Sequence, residues 1–326
     1  MSDNRDVYLD YIKAFGIGLV VLGHTEVFPS EVTTVIFAFH MPIFFFCSGC
    51  LFKGYRKGQV VKCLKRYLLR YVFYAILFSV SFQLLKFGNL DILKEAKSLV
   101  LGKYDVYNPA CIIWFLMCLF TVEIIAIILS RINLSRWIIV SLIFICPIIG
   151  FLFCELPNHS LPFRLQTAFV ALSFFCFGWV INEHLSAYRL WLKKRILIAV
   201  LLIIVLFALL IGIALLNGRT GMNSDLYNSP FLFILSAYIG IVFVVTLSEV
   251  LPANMKLVKM VGENTLVVYI GHLYPIVMIR LLFEKLGYKD SLKTKLIAFV
   301  ITYSIILAIM IVKTRRKSGM TTKTES

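Results

Sequence analysis

The sequence predicts an all-α integral membrane protein, a bundle of about ten transmembrane helices with both termini cytoplasmic. Three observations carry that expectation. First, 60% of the 326 residues are hydrophobic and 15% are charged, with a mean hydropathy of +0.90. Soluble domains average about 45–50% apolar and about 25% charged residues, so too few polar side chains exist here to cover a water-soluble core. Second, the apolar residues gather into runs that approach the roughly 20 residues needed to cross a hydrocarbon layer. Third, the loops between the runs share their basic residues unevenly. With 18 Gly, 9 Pro and no tandem or heptad repeat, collagenous, disordered and coiled-coil chains are excluded.

The first run is Ala14–Val27, extended by the residues before it. Val32–Phe52, Tyr67–Leu85, Ala110–Leu129 and Trp137–Cys154 follow. Next come Leu165–Ile181, Ile196–Leu216, Phe231–Leu247, Leu266–Phe283 and Leu296–Val312. The seventh is the cleanest, with no charged or hydroxyl side chain. If the N-terminus is cytoplasmic, the inside segments hold 22 of the 33 Lys and Arg residues and the other side holds 11. That twofold bias agrees with the positive-inside rule, and an even number of spans returns the C-terminus to the same side. The longest outside loop, Lys86–Pro109, mixes signs and is expected to carry a short amphipathic piece. No cleavable signal peptide and no hydrophilic domain are expected. Residues 1–326 are read as one transmembrane domain ending in a short basic cytoplasmic tail, 313–326.

The net charge is +16. On a soluble protein it would suggest nucleic acid. Here loop topology accounts for it, and no nucleic-acid partner is expected. The eight cysteines lie mostly inside apolar runs, where they act as small hydrophobes. Cys47 and Cys50 form a C-x-x-C without a second pair, so neither a metal site nor a disulfide framework is expected.

Ionisable side chains inside spans are costly and mark functional positions by default. They are His24, His40, Arg70, Glu123, His272 and Arg280, with Lys13 and Glu26 near helix ends. The other two histidines are His159 and His184. At about 100° per residue, Lys13 and His24 share one helix face, about 16 Å apart along the axis. Asp10 falls about 40° from that line. Such a stripe suits a charged donor waiting at the cytoplasmic mouth while a proton is handled inside. It also fits a snorkelling lysine and a histidine bonded to a neighbouring helix.

Four motifs in order bear on function. Leu9-Asp10-Tyr11-Ile12-Lys13-Ala14 followed by Val20-Val21-Leu22-Gly23-His24 resembles the first helix of the membrane acyltransferase-3 family, within it the fucose 4-O-acetylase-like branch. Phe39-His40-Met41-Pro42-Ile43-Phe44-Phe45-Phe46-Cys47-Ser48-Gly49 is similar to the family's His-Met-Pro-aromatic-Ser-Gly element. Trp114-Phe115-Leu116 resembles its fourth-span signature, and Gly262-Glu263-Asn264-Thr265-Leu266 through Tyr269 and His272 its late helix. One departure stands out. The family's third span often opens Arg-x-x-Arg and continues in this branch with Pro-Tyr, whereas this chain has Lys62-Cys63-Leu64-Lys65-Arg66 and then Arg70-Tyr71.

The resemblance implies transfer of an acyl group, most often acetyl, from acyl-CoA to a sugar hydroxyl of a bacterial surface glycan or its lipid-linked precursor, in the inner (plasma) membrane. Acetyl-CoA would be a donor substrate, with no cofactor bound permanently. The expected partners are the donor, a carbohydrate acceptor and the bilayer; a homo-oligomer is compatible with the sequence. A sugar hydroxyl needs a positioned base, and histidine is the usual one. His24, His40 and Glu123 are the candidates for chemistry, and Asp10, Lys13, Trp114 and His272 for substrate contact. Lys62, Lys65, Arg66 and Arg70 can hold the donor's phosphates by charge-assisted bonds, or serve topology and anionic lipid. His40 reads as a second base or a structural partner of His24, and His272 as helix-packing glue or a substrate contact. Glu123 is expected to pair with Arg70 or a histidine. Trp114 can stack on a sugar face, although most aromatic residues here face lipid. The competing class is a transporter or flippase, which would use the same buried histidines and glutamate as a proton path.

Overall fold

The computed structural model describes residues 6–24, 28–132, 134–156, 160–288 and 291–323, with the backbone alone for Leu292 and 315–323. Glu26, His159 and the Val27 end of the first predicted run lie outside the described residues. Helix α1 (Val7–Gly23) begins where the Asp6 carboxylate accepts from the Tyr8 amide at 2.9 Å, satisfying a donor that the first turn leaves open. α2 (Ser30–Leu51) carries Pro42 in its interior. α3 (Gln59–Cys63), a π-wound turn at Leu64–Leu68 and α4 (Leu69–Phe87) make one rod. α5 (Ile92–Leu101), capped by Asp91, is the amphipathic piece expected in the long loop.

A 3₁₀ turn at Pro109–Ile113 leads into α6 (Trp114–Arg131). α7 (Arg136–Glu155) and α8 (Leu165–Ile181) form a hairpin, and the short amphipathic α9 (Leu185–Lys194) continues from α8. α10 (Ile196–Asn217) and α11 (Pro230–Val250) form a second hairpin. α12 (Lys256–Glu263) is short; α13 (Thr265–Gly271) and α14 (Tyr274–Lys285) are two halves of one broken span; α15 (Leu292–Lys323) ends the fold. Helix α15 runs through Lys323, so the basic residues after Val312 continue the last helix.

Nine helical rods among the described residues are long and apolar enough to cross a bilayer, and each overlaps one predicted run. α1, with 17 residues, sits at the short end of the roughly 17–25 residues that span. No strand occurs among the described residues, as expected for a multi-pass bundle.

α2 is central and packs on α1, α8, α10 and α11. Its crossing with α8 is a backbone contact. A Cβ on Gly49 would stand 1.9 Å from the Phe175 carbonyl oxygen, and one on Gly178 2.1 Å from that of Phe46. Only glycine admits this approach, the way small residues bring membrane helices together. α10 lies at the rim: it buries Ala199, Leu210, Ala214 and Asn217 and leaves Leu197, Leu201 and Leu216 exposed.

Contacts sort the loops to two ends. Arg189 pairs with both Asp6, at 3.1 Å, and Glu249. The Tyr11 hydroxyl donates to the Pro252 carbonyl and accepts from the Met255 amide, each at 2.9 Å. Phe52, where α2 ends, packs on Trp179 near the end of α8, 4.8 Å between rings. The start of α1, the basic stretch after α2, α9 and α12 therefore share one end of the bundle. The end of α1 and the start of α2 lie at the other.

Candidate active site

At that other end three histidines meet. His24 is the residue that terminates α1; its backbone N–H closes the helix onto the Val21 carbonyl at 3.1 Å, and its half-buried imidazole is free of that task. His272 stands in the break between α13 and α14. Pro275, in the first turn of α14, has no N–H to continue the helix behind it. The break brings the His272 ring to 5.2 Å from that of His24.

His272 is 1% exposed, and its Nδ1–H donates to the Tyr269 carbonyl at 2.6 Å. That bond puts the proton on Nδ1 and leaves Nε2 as a lone pair. Nε2 has no hydrogen-bond partner among the described residues. His40, also buried, is oriented the same way: Nδ1–H donates to the Ile36 carbonyl at 2.8 Å. The Phe37 ring joins the group, 4.8 Å from His40 and 5.7 Å from His24. Beyond it, the Arg219 guanidinium lies 3.7 Å over the Phe37 ring and donates to Thr33 Oγ1 at 2.7 Å.

These side chains line a cavity of about 1320 Å³, with Met41, Trp114 and Tyr269 also on its wall. That volume exceeds the ~300–1,000 Å³ of ordinary small-ligand sites. Lys86, Arg280, Glu284 and Lys295 are further charged residues of the wall.

Arg219 is placed by the 218–229 connection between α10 and α11. The side chain of Asp225, at its tip, is fully buried. It accepts from Arg164 Nη1 and Nη2 at 3.3 and 3.2 Å, from Gln166 Nε2 at 3.2 Å and from Thr167 Oγ1 at 2.5 Å, with Lys103 Nζ at 3.8 Å. Asp225 and Arg164 hold left-handed backbone, φ +57° and +56°, strain that these bonds sustain. The base is clamped by Asn217, whose Oδ1 accepts from the Ser229 amide at 2.9 Å, and by Asn228, whose Nδ2 donates to the Arg219 carbonyl at 2.9 Å.

The other residues singled out from the sequence lie elsewhere. Asp10 and Lys13 form an ion pair at 2.7 Å in the first half of α1, away from the cavity. A Cβ on Gly262 would stand 1.9 Å from the Asp10 carbonyl oxygen, so α12 seats directly against this turn. Glu123 accepts from the Tyr67 hydroxyl at 2.8 Å, so among the described residues it bonds this tyrosine on the π-wound turn and neither Arg70 nor a histidine, the partners expected from the sequence. Lys62, Lys65, Arg66 and Arg70 are exposed, Arg66 standing 5.9 Å from the Tyr67 ring centroid. The structure thus gathers His24, His40, His272 and Trp114 around one cavity. It leaves the basic cluster, Glu123 and the Asp10–Lys13 pair outside that cavity.

Arg219, Arg164 and Asp225 were not singled out from the sequence. Arg219 follows directly on a span, where a cation reads as a topology or snorkelling charge. Its loop context carries no sign that it reaches back to Phe37.

Fold and site define a multi-pass membrane protein with a histidine-lined cavity at one end of its bundle. The chain belongs to the acyltransferase-3 family, whose acyltransferase-domain profile matches residues 6–315. It is on that basis a membrane acyltransferase, acting between an acyl donor and an acceptor. No curated protein and no solved structure matches the chain.

Proposed function

We propose that the protein transfers an acyl group, acetyl above all, from acyl-CoA to a sugar hydroxyl of a bacterial surface glycan or its lipid-linked precursor, with His24 as the general base. Its sequence motifs favour the fucose 4-O-acetylase-like branch and the inner membrane. The observation that carries the reading is His24 on the cavity wall beside two histidines whose Nδ1 atoms are committed to backbone carbonyls. As the hydroxyl oxygen attacks the thioester carbonyl, His24 takes its proton. The C–S bond then breaks, and His24 returns the proton to the CoA thiolate. Ester and free CoA thiol are the products, so the imidazole ends as it began.

The donor's phosphates are assigned to Lys62, Lys65, Arg66 and Arg70. α1 has 17 residues. A donor held at its starting end must extend its thioester along about 25 Å of helix to meet His24. Neutralising these four residues is expected to raise the apparent KM for acyl-CoA with a smaller loss of kcat, the signature of lost uniform binding. Steady-state kinetics on the purified variants check it; a fall in kcat at constant KM removes the donor role.

One observation favours the transporter reading: the break at His272 resembles the discontinuous helices from which transporters build midplane sites. The deciding experiment uses purified protein and labelled acetyl-CoA in detergent, where no gradient exists. Transfer or hydrolysis of the label supports the enzyme, and loss of O-acetyl groups from the surface glycan on gene deletion, read by mass spectrometry, supports the acceptor class. A protein inert toward acyl-CoA in both detergent and vesicles sinks the acyltransferase reading.

A further inference from the structure

The acyl-transfer reading leaves Arg219, one of the cations on the cavity wall, unused. Arg219 is exposed, and no carboxylate pairs with it among the described residues. The bond to Thr33 uses one of five guanidinium N–H donors. Phe37 covers a face of the guanidinium, and stacking of that kind leaves the in-plane N–H edge available to a ligand. Partial removal from water pulls Arg219 below the usual arginine range, the mark of a charge the protein does not compensate. Lys86 lines the same cavity, its ammonium 5.2 and 5.4 Å from the Phe82 and Phe87 rings, with no carboxylate partner among the described residues. Glu284 is the one carboxylate of the wall among the described residues.

The fold holds Arg219 in place at some cost. A strained, buried Arg164–Asp225 pair anchors the connection that carries it, while Arg219 itself adds one hydrogen bond. The Phe37 ring touches Arg219 on one side and His24 on another. A ligand gripped by the guanidinium is therefore one aromatic ring away from the proposed base.

Resting on the acyl-transfer reading, we infer that Arg219, with Lys86, holds an anionic group of the acyl acceptor, a phosphate or carboxylate. The hydroxyl offered to His24 then belongs to a charged sugar or sugar phosphate and not to a neutral glycan. A planar fork of donors suits both anions, which it binds through two parallel bonds. CoA phosphates share this chemistry, so the experiment must separate acceptor from donor.

The test compares wild type, Arg219→Gln, Arg219→Lys and Lys86→Gln in purified full-length protein with acetyl-CoA. The acceptor probes are a neutral methyl hexoside, a hexose 1-phosphate and a hexuronic acid. Wild type is expected to use, or be inhibited by, the charged probes at concentrations at least tenfold below the neutral one, an advantage that shrinks with added salt. Arg219→Gln is expected to erase the advantage, raising KM for the charged probe about 10–100-fold with the donor KM unchanged, as loss of a charge-assisted pair predicts. Arg219→Lys should keep part of it, and Lys86→Gln, on α4, should lose less in the same direction. A rise in donor KM instead, or equal use of neutral and charged probes, overturns the inference. Calorimetric binding of inorganic diphosphate needs no turnover. Saturable binding lost in Arg219→Gln supports the anion subsite even if no sugar is acylated, an outcome that counts against acyl transfer alone. Equal binding by wild type and Arg219→Gln overturns it.

Discussion

His24→Ala is expected to lower acyl transfer by about 10²–10⁴-fold, the usual cost of deleting a general base. Insertion and donor binding are expected to survive. The reason lies at the end of α1: the helix is closed by the backbone N–H of residue 24, which alanine retains. The lost imidazole was half-buried against the cavity, not packed in the core. His24→Gln, which can keep a hydrogen bond but cannot carry a proton between oxygen and sulfur, should be as inactive. Single-turnover transfer from labelled acetyl-CoA, alongside a donor-binding measurement, checks both. Near-normal transfer by the glutamine variant would move the base to His40 or His272, whose Nε2 atoms the Ile36 and Tyr269 carbonyls leave unprotonated.

Asp225→Ala is expected to destabilise the protein by about 3–5 kcal/mol, the cost of leaving a buried charge unpaired. The side chains of Arg164 and Asp225 are both 0% exposed, and alanine would strip the guanidinium of its carboxylate while the Met222 carbonyl remains its acceptor, at 2.6 Å. Transfer should fall as well, because Arg219, Thr220 and Met222 line the cavity from the segment that Asp225 anchors. Asp225→Asn should lose less, since its carbonyl oxygen still accepts from Arg164 and Thr167. Adding Arg164→Met to Asp225→Ala should recover stability, because an apolar side chain removes the orphaned charge. Thermal unfolding of the four proteins in detergent decides it. A double variant no more stable than Asp225→Ala would show that the hairpin, and not the unpaired charge, sets the cost.

Most of the fold is legible in the sequence, because a membrane converts composition into structure. A backbone segment in hydrocarbon must satisfy its own hydrogen bonds, so an apolar run of sufficient length is a helix whatever its neighbours do. That local rule places Ile196–Asn217 and each of the other eight rods. It also isolates His24, His40 and His272, since an imidazole among aliphatic residues stands out against its surroundings.

Helical periodicity is reliable only as far as the helix runs. It puts Lys13 and His24 on one face, but α1 ends at Gly23, and residue 24 has left helical geometry at φ −105° and ψ 3°. Lys13 turns to Asp10 within the half of α1 that α12 covers, and His24 meets His272 at the far end. The sequence reads Leu266–Phe283 as one continuous run, and nothing near Pro275 says that the helix breaks there and delivers His272 to a residue at the opposite end of the sequence.

By itself the sequence determined the apolar runs that form the spans, their order and the three histidines in them, because each depends on the composition of one segment. Only the tertiary structure decided which of those residues share a cavity. It joined Arg219 to Phe37 through a hairpin pinned by Asp225 on Arg164, and it kept Glu123 on Tyr67 and the Lys62–Arg70 cluster outside that cavity. Such pairings are set by close backbone approach, as at Gly49 and Gly178, and by the need of each buried charge for a partner. Both are conditions on distance in space, which spacing along the chain does not contain.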